Sequence, residues 1–93
     1  MDTEKIISFI SDRKHYDISE RSILYISMKK QDAFIHLSDG SVLKTRMTFA
    51  EFQDILGEDF IRITRGCLVS AMAIHNVGKL ITLSNGESLE YAT

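Results

Sequence analysis

The chain has 93 residues, 44% of them hydrophobic and 26% charged, with a formal net charge of −2. That length makes one domain, since a second folded unit does not fit within the usual size of about 100–150 residues, and the composition excludes a disordered or low-complexity chain. The single cysteine, Cys67, excludes an intramolecular disulfide framework and fits a reducing compartment; no apolar run reaches the ~18–20 residues of a membrane helix; Asp2 and Glu4 stand where an export signal places only bases, so a cytoplasmic location is expected.

In chain order, Ile6 to Ile10 reads as a strand, Ser11 to Lys14 as a polar turn, and His15 to Ile18 as a returning strand. Ser22 to Met28 is a near-continuous apolar run, which predicts a strand buried on both faces. Lys29-Lys30-Gln31-Asp32 is a charged turn. Two hairpins share a plan: Ala33 to Leu37 and Ser41 to Met47 around Ser38-Asp39-Gly40, then Leu80 to Leu83 and Glu87 to Tyr91 around Ser84-Asn85-Gly86. Asp-Gly and Asn-Gly between strand-like runs predict type I′ turns with positive φ at both central residues. Leu37, Ser38, Gly40 and Leu43 recur 46 residues later as Leu83, Ser84, Gly86 and Leu89. Two hairpins reaching one solution, or a remnant repeat, both account for that.

One short helix is marked at about residues 48–56. Thr48 with Glu51 three residues on is a capping box. Phe49, Phe52, Ile55 and Leu56 share a face, and Gly57 predicts a left-handed stop. About two turns cannot stand alone, so the Phe face must pack onto a sheet. Phe60 to Thr64 then alternates, with Ile61 and Ile63 on one face and Arg62 and Thr64 on the other. Arg65-Gly66 is a loop, Cys67 to Val69 a strand, Ala71 to Val77 an apolar stretch of small residues, and Asn76 to Lys79 a turn. The chain has no proline. The expectation is a mainly β chain of about eight to ten strands with one short helix.

The charges are segregated along the chain. Residues 51–60 carry Glu51, Asp54, Glu58 and Asp59 and no base; residues 61–80 carry Arg62, Arg65 and Lys79 and no acid. Residues 28–50 carry Lys29, Lys30, Lys44 and Arg46 against Asp32 and Asp39. A fold that brings the last two stretches together has a basic face and an acidic back, and local potential steers a polyanion whatever the net charge. An ordinary mixed surface is the other reading of charge alone.

Enzyme chemistry is not indicated. His15, His36 and His75 stand alone in their segments, Cys67 has no second thiol for zinc, and no glycine loop cradles phosphate. His36 reads as a packed or half-exposed strand residue and Cys67 as a small buried hydrophobe. No cofactor, metal or small-molecule substrate is expected.

From Ser22 onward, about three quarters of the chain, the sequence resembles the LytTR family of bacterial DNA-binding domains. Ile23-Leu24-Tyr25-Ile26 matches the family's Ile-Leu-Tyr-Ile strand. Ile35-His36-Leu37-Ser38-Asp39-Gly40 matches its Ile-His-Leu strand and turn, and Thr48-Phe49-Ala50-Glu51-Phe52 its capped helix. Phe60-Ile61-Arg62-Ile63-Thr64-Arg65-Gly66-Cys67-Leu68-Val69-Ser70 matches its Phe-x-Arg-Ile-His-Arg-Ser-x-x-Val-Asn segment, and Leu83-Ser84-Asn85-Gly86 its final hairpin.

The resemblance implies about ten short strands in three small antiparallel sheets with one short helix. It implies sequence-specific binding of double-stranded promoter DNA with paired repeats, as the output module of a transcription regulator. Loops rather than a recognition helix read successive major grooves, and two copies pair on the DNA. A receiver domain or a membrane-bound inhibitor protein is the implied regulatory partner. Carried onto this chain, the DNA-binding residues are Lys29, Lys30 and Gln31 in one turn and Thr64, Arg65 and Gly66 in another. Gln31 suits adenine and Arg65 guanine, each bidentately; Thr64 and the Gly66 amide suit phosphate. A surface Arg65 paired with a helix acid is the bland alternative. Arg62 is a structural candidate, paired with Asp54 or Glu58, and Lys44 and Arg46 are weaker phosphate candidates. Thr64, Gly66 and Ser70 replace the family's usual His, Ser and Asn, and Ser27 a frequent Glu. Glu90-Tyr91-Ala92-Thr93 stands where a Pro-Val-Ser-Arg-like strand adds a basic contact. These departures and the net charge support an alternative: a protein-interaction domain on the same fold, with weak or lost DNA binding.

Overall fold

The computed structural model describes residues 5–91, so the expectations resting on residues 1–4 and on Ala92 and Thr93 lie outside it. In chain order the elements are β1 (Ile6–Ser11), β2 (Lys14–Ser19), β3 (Ile23–Lys29), β4 (Asp32–Leu37), β5 (Val42–Thr45), α1 (Phe49–Ile55), β6 (Phe60–Thr64), β7 (Cys67–Ser70), β8 (Ile74–Val77), β9 (Ile81–Leu83) and β10 (Ser88–Leu89). Single 3-10 turns at Glu20–Ser22 and Ala71–Ala73 lead into β3 and β8. The three antiparallel sheets are β1-β2, β5-β4-β3-β7-β6 and β10-β9-β8. The expected mainly β fold with one short helix is what forms. The stretch from Ala71 opens with a 3-10 turn, and Asn76 and Val77, expected in a turn, are instead the end of β8.

β3 lies at the centre of the five-stranded sheet, and Ile23 to Ile26 are all buried. Burial on both faces is what the continuous apolar run required. One face carries Ile26, Ala33, Ile35 and Leu68, covered by Phe49, Phe52 and Leu56 of the helical segment and by Ile7 and Phe9 of β1. The other carries Tyr25 and Val69, covered by Ala73, Ile81 and Leu83 from the three-stranded sheet and its lead-in. A register shift between Ile23 and Tyr25 lets Leu24 and Tyr25 both join this second core while Ile23 and Ile26 serve the first.

A second shift, between Arg62 and Thr64, corrects the simple alternation expected for β6. Arg62 pairs with Leu68 and Thr64 with Cys67, and adjacent residues of β7 face opposite ways. Arg62 and Thr64 therefore do not share a face. Ile63, the inserted residue, is buried, and Ile61 on this edge strand stays exposed.

The turns differ from expectation in an instructive way. Asp39 and Asn85 are not left-handed; only Gly40 and Gly86 are, each with φ of +93°. The Gly40 N–H donates to Leu37 O (3.1 Å) and the Leu37 N–H to Ser41 O (2.9 Å), and Gly86, Leu83 and Glu87 repeat the pattern. These are three-residue loops closed by a glycine, not two-residue type I′ turns. Asp39 Oδ1 accepts from the Ser41 N–H (2.8 Å) and Asn85 Oδ1 from the Glu87 N–H (3.0 Å), which fixes the same turn twice. The two-residue turn with both residues left-handed is Asp12-Arg13, at φ +51° and +64°.

The capping box forms: Thr48 Oγ1 accepts from the Glu51 N–H (3.2 Å), and Glu51 Oε1 from the Thr48 N–H (3.4 Å). Gly57 is not left-handed, against expectation. The helix ends one residue earlier because Leu56 turns extended at φ −87° and ψ 150°. Gly57 instead gives its N–H to Glu20 Oε1 (3.4 Å). Thr48→Ala removes the cap and is expected to cost about 1 kcal/mol. In a domain of this size that lowers the thermal midpoint by roughly 4–8 °C, readable by calorimetry.

Candidate nucleic-acid interface

The pairing of β3 with β7 decides what the two candidate turns can do together. Ser27 lies opposite Cys67, and the Met28 N–H donates to Gly66 O (2.8 Å). The β3–β4 turn, Lys29 to Asp32, and the β6–β7 turn, Arg65-Gly66, therefore project side by side from one end of the sheet. A Cβ at Gly66 would sit 3.3 Å from Met28 O, so a small residue lets the two turns approach this closely. β5 ends at the same place, with Thr45 opposite Ala33. The β1–β2 hairpin is fastened there too: the Ser11 hydroxyl donates to Lys44 O, and the Thr45 hydroxyl to Ile10 O (2.7 Å).

The six candidate residues fall at this end. Lys29, Lys30, Gln31 and Arg65 are exposed; Thr64 and Gly66 are half-buried. Lys30 is held left-handed at φ +58°, a conformation that costs a non-glycine residue about 1–3 kcal/mol. Thr64 Oγ1 accepts from the Gly66 N–H (3.2 Å). The Gly66 amide is thus already engaged, and of that pair the Thr64 hydroxyl hydrogen is the donor left over. Arg65 forms no ion pair among the described residues.

Arg62 does something other than pair with Asp54 or Glu58. Its Nε donates to Thr64 O (3.3 Å) and its Nη2 to Arg65 O (2.9 Å). Its guanidinium lies 5.1 Å from the centre of the Phe49 ring. It clamps the backbone of the Arg65 turn against the helix.

The segments at this end, residues 12–14, 29–32, 44–46 and 62–66, hold eight of the eleven Lys and Arg but two of the thirteen Asp and Glu. Ser38 bonds Ser22, Ala71 bonds Asp59 and Gly57 bonds Glu20 at the opposite end, which gathers Glu20, Asp39, Glu58 and Asp59. The segregation runs along the strands, end to end. Lys79 stands apart, in the β8–β9 turn. Sequence reasoning missed Arg13 and Lys14; their turn was legible, but not where the hairpin docks.

The titratable groups on the second core face serve packing. The Tyr25 hydroxyl donates to Glu87 Oε2 (2.8 Å) and ties the two larger sheets together. His36 stacks on Tyr25 at 3.9 Å and lies 3.1 Å from Ser27 Oγ. Burial pushes the Cys67 thiol up to about 11, so the sulfur is protonated and poorly nucleophilic. Burial holds His36 below the ordinary histidine range. As pH falls through about 6.5 the unfolded chain takes a proton that the folded chain refuses. Stability is therefore complete above that pH and declines below it. The thermal midpoint is expected to drop between about pH 7.5 and about pH 5.5, and His36→Gln to flatten that part of the profile. Among the described residues no group of three or more His, Cys, Asp and Glu could hold a metal ion, and no helix is long and apolar enough to cross a membrane.

Comparison with known proteins agrees with this architecture. A solved LytTr DNA-binding domain from Bacillus cereus, belonging to a protein described as a methyl-accepting/DNA response regulator, superimposes with a TM-score of 0.79. The match covers 94% of this chain and 85% of that one at 17% identity, a likeness of fold. No curated protein sequence matches the chain. The family model of the LytTr DNA-binding domain matches residues 5–92. With that match over nearly its whole length, the chain belongs to the LytTR family of DNA-binding domains.

Proposed function

We propose that the chain binds double-stranded promoter DNA sequence-specifically, as the output module of a bacterial transcription regulator, and that it reads DNA with the turns at its basic end. The observation that carries this is the convergence of the Lys29–Asp32 and Arg65-Gly66 turns at an end holding most of the chain's bases. The helix is a poor reader: α1 has seven residues and carries Glu51 and Asp54 but no Lys or Arg, so it repels phosphate.

Gln31 pairs with an adenine edge and Arg65 forks onto guanine O6 and N7. Lys29, Lys30 and the Thr64 hydroxyl hold phosphate and set register. Neighbouring strands lie about 4.8 Å apart, so these turns are separated by about two spacings, roughly 10 Å. One major groove is about 12 Å wide, and one helical turn spans about 34 Å. A single copy therefore places both turns on one stretch of duplex. Reading successive major grooves falls to a second copy on the paired repeat. A receiver domain or a membrane-bound inhibitor protein would govern that pairing.

Fluorescence-anisotropy titration tests this, using bacterial promoter fragments with paired repeats about one helical turn apart (~10 bp) and a scrambled duplex, each at two salt concentrations. Saturable binding that prefers some repeats and weakens with salt is the expected result. No binding at low salt by folded protein would overturn it and favour a protein-interaction domain on this fold.

A further inference from the structure

We infer that the β1–β2 turn, together with the end of β5, forms an additional DNA-contacting element that grips the phosphate backbone beside the Lys29–Gln31 turn. This inference rests on the DNA-binding reading and extends it to Arg13, Lys44 and Arg46.

Three observations carry it. First, an open groove of about 1010 Å³ runs between the β1–β2 turn and the end of β5, lined by Asp12, Arg13, His15, Asp32, Lys44 and Arg46 among others. Its floor is fixed, because the Ser11 and Thr45 hydroxyls bond across from β1 to β5. Second, its cations are only loosely engaged. Asp32 is 4.0 Å from both Lys44 Nζ and Arg46 Nε, whose side chains are 64% and 81% exposed. Such contacts hold weakly in water and give way to a phosphate, which offers a closer charge-assisted bond. Arg13 is exposed and makes no ion pair among the described residues.

Third, the backbone is strained just here. Asp12, Arg13 and Lys30 are the non-glycine residues with positive φ among those described; Asp12 and Arg13 line the groove, and Lys30 belongs to the β3–β4 turn, whose Asp32 lines it. A two-residue turn of this kind is met at least cost by Asn-Gly. This chain uses Asp-Arg instead, and in the β3–β4 turn a lysine where glycine would be cheapest. Strain retained at such positions points to a use for the side chains. The use that suits Arg13, Lys44 and Arg46 lining one groove is a polyanion backbone. The acids present, Asp12 and Asp32, leave the surrounding end strongly positive.

The test compares the full chain with an Arg13→Asn/Arg46→Gln double variant. Asn tolerates the left-handed backbone, so the turn is kept while the charge is lost. Circular dichroism checks the fold, and Arg46→Gln alone, at a site outside any strand, repeats the reading without touching the turn. Binding is followed by anisotropy on a scrambled duplex and on a repeat-bearing promoter duplex across a salt series. Each lost phosphate contact lowers the slope of log K against log salt by about 0.9. The double variant is expected to show a slope shallower by roughly 2, an equal fold-loss on both duplexes, and Lys79→Gln no change. An unchanged slope in the double variant, with the parent chain binding normally, would overturn this inference and leave the DNA-binding reading intact. Failure of the parent chain to bind any duplex at low salt would overturn both.

Discussion

Phe52→Ala is expected to cost about 3–5 kcal/mol, out of a total that for a small domain is about 5–15 kcal/mol. Phe52 is fully buried and packs among Ile26, Ile35, Leu56 and Leu68 in the first core. The helix that carries it has seven residues, too few to persist without tertiary contacts. Losing the ring thus leaves a cavity over the central sheet and also loosens the element that covers it. Urea unfolding should show a large fall in midpoint with little change in slope. Phe52→Leu, which retains most of the volume, should recover most of the loss. Equal stability of Phe52→Ala and the parent chain would mean that α1 does not hold the sheet in solution.

The parts of the fold that rest on local chemistry were legible in the sequence. The apolar run at Ile23 to Ile26 required a central strand, and Thr48 with Glu51 required a helix start. Both are patterns within a few residues, and both are present. What escaped was set by partners distant in the chain. The shifts near Leu24 and Ile63 depend on which strand lies opposite, and a one-residue slip leaves no mark on composition. Gly57 suggested a left-handed stop, but Leu56 leaves the helix first, and the Gly57 amide serves Glu20, 37 residues away. Asp-Gly and Asn-Gly marked both turns correctly and misjudged their type, because each loop holds three residues rather than two.

The candidate site was legible in the same uneven way. Both turns were visible as loops, and the bases in them were visible as bases. Their meeting depends on β3 pairing with β7, strands separated in sequence by β4, β5, α1 and β6. Nothing local announces that pairing. A net charge of −2 likewise argues weakly against a polyanion partner until the strands gather most of the bases at one end. The role of Arg62 was misread for a related reason. Its carboxylate candidates are close in sequence, but the bulge turns it toward Phe49 and the carbonyls of its own turn.

Arg65→Ala is expected to weaken binding to a preferred repeat by about 1–3 kcal/mol, or roughly 5- to 150-fold, if the side chain forks onto guanine. A fixed turn backbone would suit such a fork. The Arg65 carbonyl is fixed by Arg62 Nη2 (2.9 Å) and the Gly66 amide by Thr64 Oγ1 (3.2 Å), so the turn presents an exposed guanidinium from a settled backbone. A preorganised donor pair loses little freedom on binding. Arg65→Lys separates charge from shape: it keeps the phosphate attraction but cannot make two parallel bonds to O6 and N7. The expected pattern is that Arg65→Lys binds a scrambled duplex nearly as well as the parent chain yet loses its preference for the repeat, while Arg65→Ala loses both. Equal loss on repeat and scrambled duplexes in Arg65→Ala, with Arg65→Lys restoring both, would make Arg65 a phosphate contact and leave the burden of sequence recognition on Gln31.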